Sequence, residues 1–308
     1  MKFPKKLEDC KTIGILAPSS PISGERELAC IKAIKEMGFN VKVSTNLSKN
    51  YGGYMAGTGK ERGQLINEMF ADPEVDAIIC IRGGDTGIRA LEYIDTEIVK
   101  NNPKIFMGYS DITNFHLLFN QKCDLVTFHG PMVSSNIVDG MDKFTEKSMY
   151  ACLNADKLYS YEEPDGFEIY ALPGHEGKAE GVMIGGNLSL IEANVGTFNT
   201  MDVKDKIIFI EDVGEQMYRL DRMMWQMRNA GFFDQCAGVV LGQFTDCPND
   251  YMPSYDLVNM MKDVFDGYDI PVLMNVQAGH GDICMTLPFG ANCRFDTEKH
   301  ILEFDVER

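Results

Sequence analysis

Through the first half of the chain, short apolar runs alternate with segments of helical period, and no other feature narrows the fold as much. "TIGILAP" (12–18) reads as a strand, Glu25 to Met37 as a helix stopped by Gly38, and "NVKVS" (40–44) as the next strand. Glu61 to Phe70 has helical spacing, "DAIICI" (76–81) is a buried strand, and Ile88 to Ile94 is helical again. "KIFMG" (104–108) then leads through a turn into a helix over Asp111 to Phe119. Strands apolar at nearly every position are covered on both faces, so the pattern predicts an α/β fold with a mainly parallel sheet. In such sheets, sites lie beyond the carboxyl ends of the strands.

After "LVTFHGPM" (125–132) the pattern changes, and the polar, aromatic stretch from Asp156 to Leu172 reads as a crossover. The expected organisation is an N-terminal domain over 1–155, a linker over 156–172 and a C-terminal domain over 173–308. The second domain has strands at "KIIFIED", "AGVVLG" and "VLMNV", with helices at Met217 to Ala230 and Leu257 to Phe265. Met217, Leu220, Met224 and Met227 recur at helical spacing and read as core, and Trp225 among them reads as packed.

Composition excludes several classes. With 29 basic and 46 acidic residues the net charge is −17, and no long Lys/Arg cluster interrupts it, which disfavours nucleic-acid and membrane-surface partners. Nine cysteines form an odd set without a C-x-x-C pair, against a disulfide framework or zinc cluster. The early lysines precede no apolar h-region and no stretch is long enough to span a bilayer, so a reduced, cytoplasmic protein is expected, without metal or cofactor.

Among the candidate sites, "YGGYMAGTGKERG" (51–63) fails both nucleotide fingerprints: Glu61 follows Lys60 where a phosphate loop needs Ser or Thr, and the glycine spacing is wrong for a dinucleotide turn. It reads as a mobile surface loop. In "CIRGGDTGIRAL" the strand ends at Ile81 and the chain enters a helix through Gly83 and Gly84, where backbone N–H groups suit an anion, a developing oxyanion or simply a tight turn. Ser110, in "MGYSDIT", has the strand-turn-helix context of a nucleophile elbow, although Ile112 replaces the second glycine of the hydrolase pattern; a helix N-cap is the competing reading. Of five histidines, His280 stands between glycines after a strand, and His129, also at a strand end, is the runner-up. His116 lies within a helix as a packing residue. Glu211 follows four apolar strand residues and is placed to orient an imidazole.

Taken together, "YMAGTGKERGQLINEMFADPEVDAIICIRGG", "GYSDIT", "TFHGPM", "GGNLSLIEANVGT", "IFIEDVGEQMYRLDRMMWQMRNAG", "GVVLGQF" and "GHGDICMTLPFGA" resemble the L,D-carboxypeptidases of serine peptidase family S66 over nearly the full length. The resemblance implies that Ser110 is the nucleophile, His280 the general base, Glu211 the residue orienting it, and the N–H groups of Asp111 and Gly84 the oxyanion hole. It also implies an N-terminal three-layer α/β/α domain, a smaller β-rich C-terminal α/β domain, a site between them and a homodimer. The implied substrate is a murein tetrapeptide losing its terminal D-alanine. Two alternatives remain: cleavage of acyl-nucleotide peptide antibiotics for self-immunity, an activity of the same family, and a non-catalytic ligand-binding protein. Many members carry an aromatic residue after the "RGG" glycines, where this chain has Asp85.

Overall fold

Nearly every apolar run becomes a strand in the computed structural model, which describes residues 1–307. The first half alternates β1 (Thr12–Leu16), α1 (Gly24–Glu36), β2 (Asn40–Val43), α2 (Gly59–Ala71), β3 (Ala77–Cys80), α3 (Thr96–Asn101), β4 (Ile105–Gly108), α4 (Thr113–Cys123), β5 (Thr127–His129) and α5 (Lys143–Asn154). The second half contains β6 (Leu158–Ser160), β7 (Tyr170–Ala171), β8 (Lys178–Asn187), α6 (Leu188–Asn194), β9 (Lys206–Val213), α7 (Met217–Asn229), β10 (Gly238–Thr245), α8 (Leu257–Phe265), β11 (Val272–Met274), β12 (Leu287–Phe289), β13 (Asn292–Asp296) and β14 (Ile301–Asp305). The helix expected over Ile88 to Ile94 tightens to a 3-10 helix, Gly87–Tyr93.

Two sheets result. The first has the order β12-β5-β4-β3-β1-β2, parallel except where β12 joins the edge antiparallel to β5. The second has the order β6-β14-β13-β8-β9-β10-β11-β7, with parallel β8 to β11 at its centre and antiparallel strands at both flanks. The expected α/β class is therefore observed. The segment 156–172 differs from a plain linker, because its β6 and β7 close the two edges of the second sheet. An edge strand presents unpaired backbone groups, and these short pieces satisfy them. In the opposite direction, β12 returns from the second half to cover the edge of the first sheet.

Between the layers, Phe106 on β4 meets Phe119 on α4 edge to face at 4.9 Å. Met217, Leu220, Met224 and Met227 are buried as expected, but Trp225 is 37% exposed, its ring lying 4.8 Å beneath the Arg228 guanidinium. The helix turns that residue off the apolar stripe. Eight of the nine cysteines are buried, and Cys247 is partly exposed. No helix of the described residues is long and apolar enough to cross a membrane.

His116 on α4 is fully buried, as a packing residue should be. Its Nε2 donates to the Gly108 carbonyl at 2.8 Å and its Nδ1 accepts from the Thr127 hydroxyl at 2.8 Å, which holds the ring neutral. Burial lowers its pKa from 6.5 to about 4, the carbonyl partner opposing. A ring that protonates near 4 when folded and near 6.5 when unfolded binds its proton first in the unfolded chain, so stability is lost as pH falls through that window. Urea denaturation at pH 7 and pH 5 should show a loss of about 2 kcal/mol attributable to this ring, and His116→Gln should make the dependence shallower by that amount.

Candidate active site

The turn after β4 carries the first element of the site. Tyr109 is extended, Ser110 takes φ of 65°, and a 3-10 turn over Ser110–Ile112 leads directly into α4. A left-handed conformation costs a non-glycine residue about 1 kcal/mol and persists only where the surroundings enforce it. The Ser110 side chain caps neither the 3-10 turn nor α4, so the capping alternative fails. Its hydroxyl instead stands at the carboxyl end of the first sheet.

Gly83 lies against that hydroxyl. A Cβ at this position would sit 2.7 Å from Ser110 Cβ, 2.9 Å from Ser110 Oγ and 3.5 Å from the Asp111 nitrogen, so only glycine permits the approach. Gly84 has φ of 157°, and a Cβ there would fall within 2.4 Å of the Ser19 and Ser20 hydroxyls. The "RGG" turn and the Ser110 turn are thus packed backbone against backbone, which brings Gly84 and Asp111, the expected oxyanion donors, to neighbouring segments.

Asp111 itself is buried. Its Oδ2 accepts from the Ser19 hydroxyl and, at 2.6 Å, from the Gly87 N–H, while Oδ1 accepts from Asn114 Nδ2 at 2.7 Å. Burial raises its pKa, and the Ser19 and Gly87 donors oppose the rise.

The second sheet supplies the remaining pair. Glu211 lies within β9, not beyond its end, because pairing with β10 continues to Val213. Its side chain is fully buried and its Oε2 lies 2.7 Å from His280 Nδ1. Burial raises the Glu211 pKa, with the bond to His280 opposing. A carboxylate on Nδ1 fixes the imidazole tautomer and leaves Nε2 as the free nitrogen. Asp212 faces elsewhere: Asn187 Nδ2 reaches its Oδ1 at 3.0 Å, and the Ser189 N–H and hydroxyl reach its Oδ2.

Tyr109 joins the two halves, its ring meeting the His280 ring edge to face at 4.9 Å. The structure thus pairs Glu211 with His280 directly and brings both to the residue preceding Ser110; no hydrogen bond joins Ser110 to His280. Such bonds are often long in the free enzyme and tighten with substrate. His129 is a different case. It is fully buried among Tyr109, Phe209 and Phe289, with neither ring nitrogen hydrogen-bonded, and burial puts its pKa well below the ordinary value. It has no carboxylate and no access, which removes it as a base. Among the described residues, no group of three or more His, Cys, Asp or Glu side chains is arranged to hold a metal ion.

Residues 13–130 match the family profile of the LD-carboxypeptidase N-terminal domain, and residues 180–295 that of the C-terminal domain. The chain belongs to the S66 LD-carboxypeptidase family. It is 36% identical over 296 residues to a probable murein peptide carboxypeptidase of Bacillus subtilis, covering 96% of this chain and 91% of the other. It is 27% identical to the microcin C7 self-immunity protein of Escherichia coli, covering 92% and 90%. Among solved structures, the muramoyltetrapeptide carboxypeptidase of Oxalobacter formigenes superposes with a TM-score of 0.84 at 27% identity, covering 97% and 99%.

One supporting element differs from its expected form. The glycine-rich stretch is an anchored turn, not a mobile loop: Thr58 and Glu61 form a reciprocal capping box at the start of α2, and the Ala56 N–H bonds the Ser19 carbonyl. The Thr-x-x-Glu spacing was the available signal.

Replacing Gly83 with Ala should lower kcat/KM about 10²-fold by displacing Ser110, with far-UV circular dichroism retained. Gly24→Ala, where a Cβ meets open space, should leave the rate unchanged.

Proposed function

We propose that this protein is a serine-type L,D-carboxypeptidase that releases the terminal D-alanine from murein tetrapeptides during cytoplasmic peptidoglycan recycling. The observation that carries the reading is the strained Ser110 turn, pressed on Gly83 and joined through Tyr109 to the half-buried His280 that the buried Glu211 holds, in a chain of this family. Ser110 Oγ attacks the carbonyl joining the diamino acid to D-alanine, and His280 Nε2 takes its proton. The N–H groups of Asp111 and Gly84 receive the oxyanion, each worth ~3 kcal/mol in a typical site. His280 then protonates the departing amine, and water, activated by the same ring, releases the acyl group from Ser110. Throughout, the Glu211 carboxylate stabilises the imidazolium without taking its proton. The B. subtilis and O. formigenes relatives support the substrate class, and a homodimer is the assembly that the family resemblance favours.

A second reading, hydrolysis of an acyl-nucleotide peptide antibiotic, is favoured by the E. coli relative. The two separate in a side-by-side rate comparison. L-Ala-γ-D-Glu-diamino acid-D-Ala should lose D-alanine faster than an aspartyl-adenylate amide analogue is cleaved, with no cleavage when the last residue is L-alanine; the reverse order would favour the nucleotide reading.

Ser110→Ala should abolish turnover while the chain stays folded, and dialysis against a strong chelator should leave the wild-type rate unchanged. Full turnover by the alanine variant would end the serine mechanism, and a loss restored by zinc would contradict a metal-free one.

A further inference from the structure

His280 sits in a loop that its flanking glycines leave intrinsically loose. Glu211 fixes the ring at Nδ1 and Tyr109 packs on its edge, but the backbone needs a restraint of its own. The Gly281 N–H donates to Gln243 Oε1 at 2.9 Å. The side-chain amide of Gln243 also lies flat against Gly281, where an added Cβ would come within 2.2 Å of Nε2.

That bond is the end of a chain. Gln243 Nε2 donates to Gln277 Oε1 at 2.9 Å, Gln277 Nε2 donates to Asn275 Oδ1 at 2.9 Å, and Asn275 Nδ2 donates to the Glu168 carbonyl at 2.8 Å. A backbone donor at one end and a backbone acceptor at the other dictate the orientation of every amide between them. Gln277 is buried, its own N–H donating to the Tyr161 hydroxyl at 2.8 Å, so the chain is anchored on segment 161–168.

We propose that Gln243 is a positioning residue for His280: it transmits the anchorage of the 161–168 segment, through Gln277 and Asn275, to the backbone of the catalytic loop. The inference rests on the serine-hydrolase reading. In this role Gln243 acts through Gly281, so its loss should change how well His280 is aimed and not how substrate binds.

The test uses a fluorophosphonate, which phosphonylates an activated serine whatever the natural substrate, together with steady-state release of D-alanine. Gln243→Leu, which breaks both bonds, should slow Ser110 labelling about 10²-fold and lower kcat similarly, with KM within about twofold of wild type. Gln243→Glu keeps the acceptor for Gly281 but sets an acceptor against Gln277 Oε1, and should lose only about tenfold. This graded order is one that a general loss of packing would not give, and the glutamate variant decides the matter even if the leucine variant is unstable. Labelling of both variants at the wild-type rate would overturn the proposal and leave the serine reading intact. A wild-type protein inert to the probe would overturn both.

Discussion

The buried carboxylate of Asp111 is the interaction on which the rest of the site depends. It directly follows Ser110 and gathers donors from three separate segments: the Ser19 hydroxyl after β1, the Gly87 N–H after β3, and Asn114 in the first turn of α4. Arg62, itself buried, donates to the Pro18 carbonyl at 3.0 Å and places its charge near the same carboxylate. A buried acidic group left without such partners would cost several kcal/mol, so the turn, the "RGG" segment and the loop after β1 are held in one relative arrangement. That arrangement offsets the unfavourable φ of Ser110.

From Asp111 the same logic crosses to the second sheet. Asn114 Oδ1 accepts from Asn194 Nδ2 at 2.7 Å, and the Asn114 carbonyl accepts from Asn199 Nδ2 at 3.0 Å. Beside it, Thr113 Oγ1 accepts from the Asn187 N–H at 3.0 Å, and Asn187 binds Asp212, the neighbour of Glu211. The start of α4 is thereby stitched to the ends of β8 and β9, the latter carrying Glu211. The proposed site, divided between two sheets, requires this, since a carboxylate and imidazole on one body would serve a hydroxyl on the other only if the bodies cannot slide. Directional buried hydrogen bonds fix register in a way that an apolar seam would not.

Much of this was legible in the sequence, for identifiable reasons. The parallel strands are continuous apolar runs, the strand-turn-helix context of Ser110 is local, and the glycines around His280 mark a loop in which a ring can be aimed. What could not be read is non-local. The return of β12 to the first sheet leaves no mark in "LPF", and β8, interrupted by Gly185 and Gly186, lacks the alternation that identifies a strand. Glu211 lies inside β9 because a neighbouring strand continues the pairing, which no local pattern announces. Trp225 is exposed although its helix neighbours are core, since a single position at the edge of an apolar stripe can face either way. The contact of Gln243 with Gln277 joins residues 34 apart in sequence, and a glutamine in a polar stretch reads as surface.

If the strained hydroxyl of Ser110 carries the acyl group during turnover, acid-quenching the reaction with a murein tetrapeptide at millisecond intervals and weighing the proteolytic fragments will catch it there. The peptide containing Ser110 should gain the mass of the tripeptide acyl group, at the time D-alanine first appears and on no other fragment. Release of D-alanine at full rate with the Ser110 peptide unmodified at every interval, or with the added mass on another residue, would contradict it.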